Sequence, residues 1–334
     1  MTTNIRNAPE RGRRVINYLR LSVTDRCNLR CMYCMPEEGV NFVPHDAILS
    51  YEEMLHLVEL CVRKGIRKVR LTGGEPLVRK GFVGFLKNLG KTEGLDEISL
   101  TTNGVLLKEF AAGIREAGIL RVNISLDTLQ PERFFRITGR DLFKQVWEGI
   151  LEAEQAGFNP IKINVVAIKG INDDEIVDFA SLTFEKPYHI RFIEHMPVNG
   201  SGGWGHDRFI SSNEILNKVE SLGEIRRIEN GSNLDGPANR FIFKKGIGEI
   251  GLIEAMSNHF CGACNRLRLT ADGHLRSCLF SDNEIDIIGP LRKGKDDDTI
   301  LELIEKAIGE KPENHEILSQ EPRKCVRRMS SIGG

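Results

Sequence analysis

Six times in succession a strand-like stretch of this chain is followed by a helix-like one. "NYLRLSVT", "IRKVRLT", "EISLTTN", "RVNISLD", "IKINVVAI" and "HIRFIEHM" read as strands. The intervening and following helices are predicted over "SYEEMLHLVELCVRKG", 80–90, 106–117, 143–156, 173–184 and "SSNEILNKVESLG". Ser50 with Glu53, and Ser211 with Glu214, have the spacing of a capping box, and Gly65 can stop the first helix. Such alternation demands a parallel sheet with right-handed crossovers.

The strands constrain the fold further. A parallel sheet covered on both faces carries nearly continuous apolar strands. These alternate instead. Leu19, Leu21 and Val23 oppose Arg20, Ser22 and Thr24; Val69 and Leu71 oppose Lys68, Arg70 and Thr72. Ile98 and Leu100 oppose Ser99, Thr101 and Asn103; Val122, Ile124 and Leu126 oppose Asn123, Ser125 and Asp127. Lys162 and Asn164 share the polar parity of the fifth strand, and Arg191 and His195 share one in the sixth. The apolar face takes the helices. The polar face either meets water on a one-layer sheet or lines a ligand, and parallel sheets are rarely left bare. A complete eight-stranded barrel packs its lumen with branched side chains. Six strands with a polar lumen therefore predict an α/β fold, an incomplete (β/α)6 barrel of the triosephosphate-isomerase type, open around a large polar substrate.

Beyond residue 224 the pattern changes. "RFIFKKGIGEIGLIEAM" and "RLRLTADGHLRSCLF" read as β-hairpins, and "DDDTILELIEKAIGEK" as a last helix with an acidic first turn. The expected division is a partial-barrel domain over 1–224 and a C-terminal α+β domain over 225–334. The tail "PRKCVRRMSSIGG" shows no periodicity.

With 334 residues, 40% of them hydrophobic, the chain can bury a large core. A formal net charge of −1 gives no global attraction to nucleic acid. No apolar run approaches the roughly 18 residues of a membrane helix, and the first residues have no signal-peptide core. The expected location is the cytoplasm, where eight cysteines point to metal binding or catalysis rather than disulfides. They are unevenly spread. Cys27, Cys31 and Cys34 form C-x3-C-x2-C; Cys261, Cys264 and Cys278 form C-x2-C-x13-C. Cys61 lies on an apolar helical face and Cys325 in a basic tail.

Each triplet is one thiolate short of a closed four-ligand site, and an open metal position takes something exogenous. Arg26 and Arg30 make the first loop basic, which favours thiolates. The zinc alternative would recruit His45 or Asp25 to the first triplet and His259 or His274 to the second.

C-x3-C-x2-C with Tyr33 before the last cysteine, followed one βα unit later by "GGEP" at 73–76, resembles the radical S-adenosylmethionine superfamily. "LRLSVTDRCNLRCMYCMP", "VRLTGGEPLVRK", "VNISLDTL", "RFFRITGR", "IRFIEHMP", "FCGACNRLRLTADGHLRSCLF" and the terminal Gly333–Gly334 are similar to the GTP 3′,8-cyclases of molybdenum-cofactor biosynthesis. The resemblance implies two [4Fe–4S] clusters, the first on Cys27, Cys31 and Cys34, the second on Cys261, Cys264 and Cys278. It implies S-adenosylmethionine held by Tyr33, Gly74, Ser125 and Met196. It implies GTP held by Arg20, Arg70, Thr101, Lys162, Arg266 and Arg268, with Lys68 and Arg191 as further candidates for the triphosphate. Arg20, Arg266, Arg268, Gly333 and Gly334 are implied to act at the reacting ribose. An external one-electron donor, a downstream pyranopterin monophosphate synthase and a homodimer are the implied partners. Another radical enzyme with an auxiliary cluster, acting on a peptide, is the alternative.

Overall fold

The computed structural model describes residues 14–35, 41–196, 206–229, 236–313, 327 and 329–333. The six expected strands form in order: β1 (Tyr18–Ser22), β2 (Lys68–Thr72), β3 (Glu97–Thr102), β4 (Val122–Ser125), β5 (Ile161–Ala167) and β6 (His189–Glu194). Each pairs in parallel with the next. The crossovers carry α1 (Tyr51–Arg63), α2 (Phe82–Leu89), α3 (Leu107–Glu116), α4 (Pro131–Thr138), α5 (Phe143–Gln155) and α6 (Ile176–Glu185), and α7 (Ser212–Glu220) follows β6. Both capping boxes form as expected, Ser50 with Glu53 and Ser211 with Glu214. Helix α4 was not expected; Pro131 at its first turn and Gly139 in the left-handed region after it are its start and stop.

The apolar parity builds the core. Leu19, Leu21, Val69, Leu71, Leu100, Val122, Ile124, Ile163, Ile190 and Phe192 are fully buried against Leu57, Leu86, Ile114, Val146, Ile150 and Phe179 of the helices. The other parity is largely buried too: Ser22, Ser99, Asn123 and Arg191 face no bulk water, and Lys68 is only 3% exposed. The polar face is thus a lumen, not a bare sheet.

The C-terminal third adds β7 (Ile225–Ile228), β8 (Asn239–Phe243), β9 (Glu249–Ile253), β10 (Arg266–Leu269), β11 (His274–Arg276) and β12 (Ile285–Asp286), then α8 (Ile288–Arg292), α9 (Asp297–Gly309) and α10 (Met329–Ile332). The β8–β9 and β10–β11 hairpins form as read. Their placement was not legible. β9 pairs in parallel with β6, and β10 in parallel with β1. The parallel run is therefore eight strands, β10-β1-β2-β3-β4-β5-β6-β9, inside one twelve-stranded sheet whose ends do not meet. The six expected βα units form the partial barrel, and the C-terminal part adds one wall on each side of it.

Candidate functional site

The first cysteine loop leaves the C-terminal end of β1. It is held by its neighbours: Arg30 and Met32 donate their amides to the carbonyls of Thr138 and Ile137 at the end of α4, at 2.8 and 2.9 Å. The stretch after β2 lies against it, with Gly74 N donating to Thr24 O at 2.7 Å and Glu75 N to Arg26 O at 2.8 Å. A Cβ on Gly74 would stand 2.3 Å from Arg26 O, so only glycine allows this approach. Glu75 is buried and receives Leu77 N, Thr102 Oγ1 and Asn103 N at 3.0, 2.7 and 2.6 Å. Burial pushes its carboxyl up to about 7 despite those donors. Asn103 in turn donates to Cys27 Sγ at 3.6 Å and to Asn28 Oδ1 at 2.7 Å. Tyr33 reaches across to Asp127 Oδ2 at 2.6 Å, and Asp127 Oδ1 accepts Val166 N at 2.9 Å. Burial raises Asp127 to about 6.

The expected basic bias on these thiols is corrected. Burial pushes Cys34 up to about 12 and Cys31 well above its ordinary value. Arg26 and Arg30 stand over the Phe42 ring, at 5.3 and 5.9 Å, and Arg30 also donates to Cys27 O and Leu29 O. Arg30 still pulls the Cys27 thiol down, but burial outweighs it. Donors that reach sulfur include Leu29 N to Cys27 at 3.4 Å, Asn103 to Cys27, Tyr33 to Cys31 and Ser330 N to Cys34. A half-buried set of thiols with N–H groups aimed at it fits an anionic iron–sulfur cube. Among the described residues no group of three His, Cys, Asp or Glu side chains is placed to hold a metal ion. Asp25 Oδ2 accepts Val43 N at 2.6 Å, His45 lies exposed, and His274 Nδ1 faces Asp272.

The second triplet sits at the other end of the lumen. Cys264 precedes β10, which runs parallel to β1, and Cys278 follows β11, which runs antiparallel. The two triplets thus belong to loops at opposite ends of the strands. Arg14 ties the second site together, donating to the carbonyls of Cys261, Lys311 and Pro312 at 2.5, 3.0 and 2.8 Å. Lys311 Nζ donates to Arg266 O at 2.7 Å and Ser277 O at 2.5 Å. Burial alone would raise the Cys264 thiol, but Arg266 and Lys311 hold it at about 6. A thiolate favoured by two cations fits a cluster ligand equally well.

Between the triplets lies a row of cations. Register places Arg268 beside Arg20, Arg20 beside Arg70, and Arg70 beside Ser99. Thr101 is beside Asn123, and Asn123 beside Lys162. Arg191 lies one strand further on, opposite Asn164. Burial lowers Lys162 to about 6, with Arg191 and Arg70 adding repulsion. Arg268 and Arg191 fall to about 10, again chiefly through burial. Thr101 Oγ1 and the side-chain carbonyl oxygens of Asn123 and Asn164 are buried with no hydrogen-bond partner. Lys68 is paired with the Glu97 carboxylate at 2.9 Å, and Arg70 Nε donates to Ser99 Oγ at 3.3 Å. A lumen rich in cations, with orphaned polar atoms, has the chemistry to receive a polyanion.

The C-terminal segment enters this lumen, which its sequence pattern did not suggest. Ile332 is fully buried against Leu279, with Met196, Phe280 and Met329 packed around them. Arg268 donates to the carbonyls of Ile332 and Gly333. Gly333 has φ +73, and a Cβ there would meet Thr72 Oγ1 at 2.3 Å. Gly334 lies outside the described residues. Ser125 is half-buried at the end of β4. Strand parity put Asn103 and Asp127 on the polar face without assigning them a role; sequence reasoning missed Arg14, Lys311 and Glu194. Glu194, wholly buried, accepts Ser212 N, Met256 N and Ser257 N, each at 2.8 Å, and so fixes the loop that leads to Cys261. Its signal was a carboxylate at the C-terminal end of a core strand.

The open parallel sheet and the cysteine loop after its first strand define the class: a radical S-adenosylmethionine protein. The family model of the radical SAM superfamily matches residues 21–183, and that of Molybdenum Cofactor Synthesis C matches 188–317. A GTP 3′,8-cyclase of Thermodesulfovibrio yellowstonii is 51% identical over 96% of this chain and 98% of its own length. One from Peptoclostridium acidaminophilum is 50% identical over 97% of each. The crystal structure of Streptococcus suis SuiB bound to S-adenosylmethionine shares the fold, with a TM-score of 0.58 at 15% identity over 91% of this chain and 70% of that one. The chain belongs to the GTP 3′,8-cyclase family. Its cofactors are S-adenosylmethionine and a [4Fe–4S] cluster, with a second cluster in the C-terminal part. Among the described residues no helix is long and apolar enough to cross a membrane.

Proposed function

We propose that this chain converts GTP to (8S)-3′,8-cyclo-7,8-dihydroguanosine 5′-triphosphate, the first step of molybdenum-cofactor biosynthesis. The observation that carries the reading is the cationic lumen of Arg20, Arg70, Lys162, Arg191, Arg266 and Arg268 between two cysteine triplets. A nucleoside triphosphate matches it in charge.

Cys27, Cys31 and Cys34 hold the first cluster in this reading, and Cys261, Cys264 and Cys278 the second. When bound, the first cluster and S-adenosylmethionine supply the radical that removes the 3′ hydrogen of the substrate. The rest falls to the chain. Tyr33, Gly74, Ser125 and Met196 hold S-adenosylmethionine; Asp127 fixes the Tyr33 ring. Arg70 and Lys162 bind the triphosphate, Thr101 the nucleoside, and Arg266 with Arg268 hold the guanine end beside the second triplet. The Gly333 carbonyl orients Arg268 towards the ribose, with Gly334 continuing that contact. Glycine is required there because any side chain would meet Thr72. Burial excludes water and quenchers from the reacting atoms. The division into a cofactor part, 1–224, and an auxiliary-cluster part, 225–334, is assigned on the same grounds. The electron comes from an external one-electron donor in the cytoplasm, and a pyranopterin monophosphate synthase consumes the product.

The test is anaerobic: the reconstituted protein is incubated with GTP, S-adenosylmethionine and dithionite, and cyclised nucleotide and 5′-deoxyadenosine are both measured. Product formed in step with 5′-deoxyadenosine supports the reading. 5′-Deoxyadenosine without any GTP-derived product, in protein carrying both clusters, sinks it.

A further inference from the structure

The C-terminal segment is held at a second point, outside the lumen. Arg327 donates both to Asp272 Oδ1 and Oδ2, at 2.8 and 2.7 Å, and its Nε stands 2.7 Å from Glu284 Oε2. Asp272 sits in the β10–β11 turn and also takes Thr270 Oγ1 at 2.6 Å, with His274 Nδ1 at 3.5 Å. Glu284 is shared with the wholly buried Arg276, which also donates to Ser281 O. Two carboxylates, two guanidiniums and a histidine thus form one half-buried network, and its strands are those that carry Arg268 and Cys278.

Two residues after Arg327 begins α10, a single turn of four residues. A helix so short does not hold itself together, because nucleation is unfavourable. Its geometry must come from anchors at either end. The inner anchors are the Ile332 side chain, Ser330 N on Cys34 and Gly333 O on Arg268. The outer one is Arg327.

We propose that Arg327 is a positioning residue that seats the C-terminal segment: pinned on Asp272 and Glu284, it fixes the start of α10 so that Ser330 meets Cys34 and Gly333 meets Arg268. The clamp ties the tail to the hairpin that bears the second triplet, so tail, Arg268 and second site move as one body. Its consequence for the reaction rests on the proposed function above; the seating itself does not.

The experiment uses the full-length, anaerobically reconstituted protein and amide hydrogen exchange over 329–333. Arg327→Gln is expected to speed exchange there about 10- to 100-fold, the loss of a charged hydrogen-bond pair, while β1 and β10 keep their protection and iron content is unchanged. Asp272→Asn is expected to act in the same direction, and Arg327→Lys to fall between. In assays, Arg327→Gln should release more 5′-deoxyadenosine per cyclised product. Wild-type exchange over 329–333 in both Arg327→Gln and Asp272→Asn overturns the proposal. If the tail is released but the ratio of 5′-deoxyadenosine to product stays at the wild-type value, the seating stands and the tail's role at the ribose fails.

Discussion

Lys162 is the residue whose chemistry the lumen alters most legibly. Its strand parity alone placed it on the polar face. Only the structure shows that burial, with Arg191 and Arg70 nearby, lowers it to about 6. At pH 7 it is then mostly neutral in the free protein. A bound triphosphate raises it again, so binding takes up a proton. The sign is set by that difference: affinity for GTP should rise as pH falls from 8 towards 6. Calorimetry in buffers of different ionisation enthalpy measures the uptake, and zero protons exchanged at pH 7 refutes it. Lys162→Ala should weaken GTP binding about 10- to 100-fold, the worth of a hydrogen bond to a charged group. Guanosine should barely register the change, and equal losses for both would make Lys162 a support of the fold. Gly333 makes the opposite kind of argument, through space rather than charge. Gly333→Ala meets Thr72 and a left-handed φ together. It should stop ring closure while leaving iron content unchanged, and cyclisation at the wild-type rate would contradict this.

At the scale of elements, the two cysteine segments are built differently and should fail differently. The first loop hangs on α4 and on the glycine-bearing turn after β2; the second is clasped by Arg14 and Lys311. Replacing Cys27, Cys31 and Cys34 together by Ala should remove about half the iron and all S-adenosylmethionine cleavage. Cys264→Ala should stop cyclisation and leave some 5′-deoxyadenosine formation; complete loss of cleavage with the first cluster spectroscopically intact would argue against separate roles. Away from both, Ser50→Ala removes the α1 cap and should cost about 1 kcal/mol. That loss should appear in the thermal midpoint without any change in iron content. The caps, the helices and both hairpins were readable because their signals are local. Helix α4 was missed because its signal, Pro131 and Gly139 about one short helix, is brief.

At the scale of the whole molecule, the decisive fact is that one sheet contains both halves. β10 covers the edge of β1 and β9 the edge of β6. A chain ending at residue 224 would expose both edges and the apolar residues packed beneath them. Exposed parallel edges invite association, so residues 1–224 alone should aggregate or lose the cooperative transition of the full chain. A monomeric, cooperatively folded 1–224 fragment would show that the first part is self-sufficient.

The sequence by itself determined the six βα units, the two-faced strands and hence the polar lumen, and the two thiolate triplets. Those signals depend on spacing along the chain, and Leu19, Arg20 and Leu21 carry theirs wherever the strand ends up. Tertiary structure decided what depends on closure between distant segments. The two added walls pair residues far apart in the chain: Arg20 with Arg268, and Arg191 with Gly251. So do the buried partners of Tyr33, Glu75 and Glu194, and the return of Gly333 to Arg268. The thiol environments were decided there too. Arg26 and Arg30 stand beside the cysteines in sequence, yet burial outweighs the pull of Arg30 on Cys27, whereas Arg266 and Lys311 hold Cys264 down against burial. Period records which face a residue takes; only packing decides what that face meets.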